Sequence, residues 1–324
     1  MLGGRAALLS AQRPLRLPDV QRRRVGSSGL QVSRIGLGTM TWGDDTDGDA
    51  AADQLRVFVQ SGGTLVETAD GYGGGIAQDV LAGLLRRAVS RDDLVIAGRS
   101  LLGDGPHGGG AGRGALLRGL DRLLRRLDTD HLDLWQLPGW DPDVPLDETL
   151  AVADAAVTSG RVRYVGLVGP AGWQLASVAE RARARWPPVV PASVQAEYSL
   201  LARDAEAELL PAAAHHGAGL LAWAPLGRGV LTGTFADTPA ASPYVEERRT
   251  ERAARIVQAV LTAAEGLGTS PLAVALAWVR DRPGVAAAVV GARDAAQLGA
   301  SMAAEAVTLP AEIRAALEDV SAEG

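Results

Sequence analysis

Thr64-Leu65-Val66-Glu67-Thr68-Ala69-Asp70-Gly71-Tyr72 is the stretch on which the architecture turns. Thr64 to Val66 reads as a short apolar strand. The chain then becomes polar and reaches Gly71 and Tyr72 before a helical run begins. A strand that ends on ionisable residues and leads into a helix is the first half of a βα unit. Outward from it the same alternation recurs at roughly 30-residue spacing, the length of a βαβ crossover. Strand candidates fall at Ile35–Leu37, Thr64–Val66, Leu94–Ala97, Leu132–Trp135, Val162–Leu167, Val189–Val194, Gly219–Trp223 and Val285–Val290. The helix after the third strand shows the packing logic. Leu116, Leu120, Leu123 and Leu127 repeat at intervals of three and four, with Arg118, Arg122, Arg125 and Arg126 between them, so one face packs and the other is wet.

Eight such units predict an α/β fold, a closed (β/α)8 barrel of the TIM type. The competing architecture, an open doubly wound sheet, needs a Gly-rich dinucleotide turn opening its first helix. Instead, Gly36, Gly38 and Gly43 precede the acidic turn Asp44 to Asp49. Residues 1–22 are read as a disordered N-terminal tail, with several Arg and only a short apolar run at Ala6 to Leu9, and residues 23–324 as one barrel domain. Two long non-periodic stretches, Gly103 to Gly114 and Thr232 to Arg249, follow strands three and seven, on the side where barrel active sites form.

Composition narrows the function. The 324 residues are 47% hydrophobic and carry a net charge of -6, from 32 basic and 38 acidic side chains. A core of useful size is available, no basic patch invites nucleic acid, and no apolar run is long enough for a membrane span. A small-molecule partner and a cytoplasmic location are expected, and the oligomeric state stays open. Cysteine is absent, which excludes disulfides, thiolate nucleophiles and Cys-based metal sites. Lysine is absent too, so no side-chain amine can act as acid, base or Schiff-base former. No His and carboxylate spacing suits a metal, and no Gly-x-Ser-x-Gly elbow supplies a nucleophile.

The phrase Thr68-Ala69-Asp70-Gly71-Tyr72-Gly73, with most of the chain from Arg23 to about Ala304, resembles the aldo-keto reductases, NADP-dependent enzymes that reduce carbonyls on a β/α barrel. In that family a Tyr donates the proton, a Lys and an Asp lower its pKa, and a His orients the carbonyl. The resemblance places these four roles at Tyr72, Arg99, Glu67 and Pro138. Arg99 ends Leu94-Val95-Ile96-Ala97-Gly98-Arg99, and Pro138 ends Asp133-Leu134-Trp135-Gln136-Leu137-Pro138. Tyrosine alone is unchanged. Glu67 and Arg99 keep the charges, though with a longer carboxylate and a planar fork, so pairing and a lowered phenol pKa both stay open. Proline offers neither a titratable side chain nor a backbone donor, so the carbonyl-orienting contact is lost.

The candidate catalytic set is therefore Tyr72, Glu67, Arg99 and Asp70. Equally, Glu67, Tyr72 and Arg99 fit a buried polar network without catalytic duty. The resemblance also implies cofactor contacts at Gly38, Thr39, Met40, Gln195, Trp223, Pro225, Leu226, Gly291, Arg293 and Gln297. Against these, the family's Ser-Asn pair reads Val168-Gly169, its phosphate-binding Lys reads Thr234, a usual Arg reads Pro243, and its Glu-Asn pair reads Ala300-Ser301. NADP(H) binding is accordingly expected to be weakened or lost. Trp42, Trp140 and Trp223 follow strands one, four and seven, and are expected to converge over the mouth with Pro138 and His107 as a pocket for an apolar or aromatic ligand.

Three functions fit. Redox-neutral acid–base chemistry such as elimination, isomerisation or cyclisation is ranked first. An NADP(H) reductase with a changed acceptor (C=C, C=N or carbonyl) comes second. A non-catalytic scaffold or partner subunit is third, since the resembled family includes channel-associated members.

Overall fold

The structure, a computed structural model, describes residues 20–100, 110–233, 243–248 and 250–322. The expected tail therefore lies mostly outside the described residues. Its last part does not behave as a tail: the Val20 N–H donates to the Ser61 carbonyl (2.8 Å), and Val20 is buried. Next comes a hairpin that the sequence pattern does not announce, β1 (Arg22–Arg24) paired antiparallel with β2 (Gln31–Ser33). Val25, Leu30 and Val32 of this hairpin pack with Leu65, Ala97, Leu134, Leu221 and Ala287, and so plug the barrel's amino end.

Eight parallel strands close the barrel: β3 (Ile35–Gly38), β4 (Leu65–Ala69), β5 (Val95–Arg99), β6 (Leu132–Leu137), β7 (Val162–Val168), β8 (Ser193–Glu197), β9 (Gly219–Trp223) and β10 (Val285–Val290). Each pairs with the next, and β10 returns to β3, so the sheet closes on itself. Seven strand assignments survive with shifts at their ends. The eighth moves, because Pro191 removes a ladder donor within Val189–Val194, with Pro187 and Pro188 just before it, and pairing begins only at Ser193.

The outer helices are α1 (Gly48–Gln60), α2 (Ile76–Arg87), α3 (Arg113–Leu127), α4 (Leu146–Thr158), α5 (Gly172–Arg183), α6 (Leu209–His216), α7 (Pro243–Glu247), α8 (Glu251–Leu267), α9 (Pro271–Arg280), α10 (Ala295–Ala303) and α11 (Ala311–Ser321). Their starts follow local chemistry. Asp47, Thr250, Ser270 and Asp294 each accept a first-turn N–H, and Pro271 stands at the first helical position of α9. In α3 all four leucines of the repeat are buried, as the spacing predicts. The stretch Thr232 to Arg249, read as non-periodic, contains α7; its residues 234–242 and 249 lie outside the described set.

Among the described residues, no single helix is long and apolar enough to cross a membrane. The pair α8 and α9 meets the length and composition test only together, across a bend of 102°. Buried on almost every face, α9 belongs to the core.

Candidate active site

Barrel geometry sends the carboxyl ends of β4, β5 and β8 to one mouth, and three of the expected side chains meet there. Glu67 on β4 is 2% exposed. Tyr72 sits just after β4, in a turn made by Gly73, Gly74 and Gly75 at φ 54°, 63° and 100°. The guanidinium of Arg126 lies where a Cβ on Gly75 would be and donates to the Gly74 carbonyl (2.7 Å), so a side chain has no room at Gly75. This turn aims the phenol back over the strand end.

The Tyr72 hydroxyl is 3.0 and 3.2 Å from the two carboxylate oxygens of Glu67, and Arg99 Nη2 donates to the phenol oxygen at 3.0 Å. Gln195 Nε2, from β8, donates to Glu67 Oε1 (3.3 Å). A direct Glu67–Arg99 pair is thus replaced by a chain in which the phenol stands between acid and base. Burial pushes Tyr72 well above the ordinary phenol value, Glu67 adds to this, and Arg99 only partly opposes it. Burial also raises Glu67, against the opposing effects of Arg99, Gln195 and Tyr72.

Asp70 does not join this group. Its carboxylate is held by Arg122 of α3 at 3.0 Å, a contact that the alternating Leu and Arg pattern did not announce. The three tryptophans do not converge either. Trp42 is fully buried, with its indole N–H donating to Gln54 (2.9 Å), so it is a core residue rather than a pocket wall. Trp140 lies beyond β6 and meets Trp173 of α5, ring centroids 5.0 Å apart, in a cleft lined by Pro138, Val144, Leu167 and Pro170. That cleft does not include Tyr72. Trp173, which no motif in the sequence singles out, is more than half exposed at the start of α5. His107 lies outside the described residues.

The residues expected to contact a cofactor form an arc around the mouth. Gly38 ends β3 beside Val289 and Glu67. Thr39 is buried, its N–H bonded to the Glu67 carbonyl (3.0 Å). Met40 is 48% exposed. Trp223 ends β9 half-buried, with Pro225 and Leu226 following. Gly291, Arg293 and Gln297 are exposed around the start of α10, where the Arg293 N–H donates to Gln297 Oε1 (3.1 Å). Across the mouth, Tyr244 of α7 donates to Glu197 of β8, with Arg248 bonded to the same carboxylate (2.7 Å) and 3.6 Å from the Tyr244 ring. No sequence periodicity marked this cluster.

Two polar atoms in the arc, Thr39 Oγ1 and Gln195 Oε1, are buried without a hydrogen-bond partner among the described residues. An orphaned acceptor at a barrel mouth costs about 1–3 kcal/mol unless a ligand satisfies it. The nicotinamide end of a dinucleotide, with its carboxamide donor, fits these atoms and the flat face of Trp223. Among the described residues no cluster of His, Asp and Glu suits a metal ion.

The fold and site together are a closed parallel barrel with a tyrosine, a carboxylate and a guanidinium hydrogen-bonded at its mouth. The profile of the Aldo/keto reductase family matches residues 34–322. The chain is 32% identical over 314 residues to a Bacillus subtilis protein named uncharacterized oxidoreductase YrpG, covering 91% of this chain and 94% of that protein. It is 30% identical over 301 residues to a probable voltage-gated potassium channel subunit beta of Arabidopsis thaliana (88% and 91%), and 29% identical over 292 residues to the aldo-keto reductase YhdN of Bacillus subtilis (85% and 86%). The chain belongs to the aldo/keto reductase family, whose members typically bind NADP(H) and act on small molecules.

Proposed function

We propose that this protein is an NADP(H)-dependent reductase of a small apolar or aromatic acceptor, with Tyr72 handing over the proton. The observation that carries this reading is the Tyr72 hydroxyl bridging Glu67 and Arg99 at the carboxyl end of β4 and β5, where barrel enzymes place their reacting groups. The relatives named as oxidoreductases, matched over nearly their whole length, put reduction ahead of the redox-neutral chemistry that the sequence ranked first.

When bound, the cofactor supplies the hydride. Gln195 Oε1 and Thr39 Oγ1 would accept from its amide end, Trp223 would lie against a ring, and Arg293 and Gln297 would hold phosphate or ribose at the start of α10. Val168-Gly169 and Ala300-Ser301 offer less to the cofactor than the side chains that the family resemblance leads one to expect. Each neutral hydrogen bond missing in this way costs about 0.5–1.5 kcal/mol, so affinity is expected to be weakened but not abolished. Pro138 gives a carbonyl oxygen nothing to bond, which favours an activated C=C or C=N acceptor over a simple ketone or aldehyde. Trp140 and Trp173, in the cleft lined by Pro138, would offer an aromatic wall to the distal part of such an acceptor.

The test has two parts. Titration of intrinsic tryptophan fluorescence with NADPH is expected to show saturable quenching in the micromolar range. NADPH consumption is then followed with enones, imines and aromatic aldehydes, and loss of turnover in Tyr72→Phe is expected. Absence of any fluorescence response at millimolar NADPH would remove the reductase reading.

The redox-neutral reading keeps one specific observation, the replacement of the carbonyl-orienting His by Pro138, and would gain from product formed without cofactor. The scaffold reading draws on the channel-subunit names of relatives and on no residue here.

A further inference from the structure

The hydrogen-bond valences at the mouth constrain where the proton comes from. Arginine is donor-only, and an ionised carboxylate is acceptor-only. With Arg99 Nη2 donating to the phenol oxygen, the single hydroxyl hydrogen of Tyr72 has to point at Glu67 when Glu67 is ionised. In that state Tyr72 has no hydrogen to offer an acceptor in the pocket. A protonated Glu67 reverses the arrangement: its own O–H donates to the phenol oxygen, and the phenol hydrogen is freed to turn outward.

We propose that Glu67, standing behind Tyr72, is the source of the proton in this site, and that Tyr72 is a relay that begins and ends each turnover as a neutral phenol. The proposal rests on the reductase reading for its acceptor and deepens it. A bound reduced cofactor would supply the hydride to one atom of the acceptor's double bond. The electron pair of that double bond, now on the other atom, takes the Tyr72 hydrogen. The Tyr72 O–H breaks as the Glu67 O–H passes its hydrogen to the phenol oxygen, leaving Glu67 as carboxylate to be reprotonated from solvent. The two electrons that reduce the acceptor would come from the cofactor, and the residues of this chain move only the proton.

Three features of the surroundings favour this order. Glu67 is almost wholly buried, which disfavours its charged form. The guanidinium that would stabilise that form bonds to the phenol oxygen rather than to the carboxylate. Gln195 donates to Oε1, leaving Oε2 as the site for the proton, 3.2 Å from the phenol oxygen. The ionisable groups that face Glu67 are Arg99 from β5 and Tyr72 from the turn after β4. Gln195 of β8 is its polar neighbour, and β3 contributes Gly38. Burial shifts Glu67 in the direction the relay needs.

The deciding experiment is a difference-infrared titration of the free full-length protein, with Glu67→Gln and Tyr72→Phe as references. A carboxylic-acid C=O band is expected at neutral pH in the wild type. It should persist in Tyr72→Phe, vanish in Glu67→Gln, and disappear in the wild type as pH rises. Under turnover with NADPH and an enone, kcat is expected to fall along the same limb. Its proton inventory in mixed H2O and D2O should be curved in the wild type and linear in Glu67→Gln, with a loss of roughly 10²-fold in Glu67→Gln and partial recovery in Glu67→Asp. Absence of the band at neutral pH overturns the relay, as does an unchanged pH limb and inventory in Glu67→Gln. Because the infrared arm needs neither cofactor nor acceptor, what it shows of Glu67 is separate from a failure of NADPH to bind, which would strike the reductase reading instead.

Discussion

The two ends of the barrel treat polar groups in opposite ways. At the amino end most of them are paired, Glu305 Oε2 being an exception. Ser33 Oγ donates to the Ile35 carbonyl and accepts from the Thr64 and Leu65 N–H groups, while its own N–H donates to Thr64. Arg23 donates to the carbonyls of Arg280 and Val285, and Arg91 reaches Asp133 and two carbonyls. At the mouth, Thr39 Oγ1, Thr68 Oγ1, Arg99 Nε and Gln195 Oε1 are buried without partners among the described residues, and Glu67 is buried with its countercharge one phenol away. One end uses polar groups to hold the fold. The other leaves them poised for something not part of the chain, as expected where local consistency is broken for function.

This contrast can be broken first at the amino end. Arg280, 2% exposed, donates to the Ala304 and Val307 carbonyls and pairs with Asp281. Arg280→Met should cost about 3 kcal/mol of stability in denaturant unfolding, by stranding those acceptors, and leave NADPH affinity unchanged. A matching change at the mouth should do the reverse: Tyr72→Phe should lower turnover roughly 10³-fold with a melting temperature close to the wild type's. A smaller effect is expected for Gln195→Leu, about 1–2 kcal/mol in NADPH binding measured by calorimetry, since it removes the orphaned acceptor. Smaller still, Trp140→Ala should raise KM for aromatic acceptors by about 1 kcal/mol equivalent through loss of the Trp173 contact, and leave kcat alone.

The pH dependence of stability sharpens the same contrast. Glu67 is raised in the folded protein, so the folded state holds its proton more tightly than the unfolded state does. Its contribution is fully present below the ordinary glutamate pKa and is lost as pH rises through the folded value. Glu67→Gln should therefore gain stability relative to the wild type across that window. A constant difference at every pH would show that Glu67 is not shifted.

The barrel was legible because strand and helix periods are written locally: α3 could be placed from four leucines, and the Thr64–Val66 strand from its apolar run and polar end. Proline chemistry displaced β8. The β1–β2 hairpin was hidden because its strands are three residues each and one of them is all arginine. At the site, Glu67, Tyr72 and Arg99 could be grouped from resemblance, but their order could not. Which of the three stands in the middle depends on the glycine turn after Tyr72 and on the reach of an Arg, neither of which spacing encodes. Trp42 was misplaced because a tryptophan after a strand can point outward to the mouth or inward to a partner such as Gln54, and only packing chooses. The Tyr244–Glu197–Arg248 cluster joins β8 to α7 across nearly fifty residues and left no periodic trace.

The most direct single measurement is stopped-flow reduction of an enone by NADPH with wild type and Tyr72→Phe, each preincubated with cofactor and monitored by reduced-nicotinamide absorbance. A burst of cofactor oxidation that disappears in Tyr72→Phe while cofactor binding is retained is the expected result. Equal oxidation rates in both proteins would contradict a proton-delivering role for the phenol at the barrel mouth.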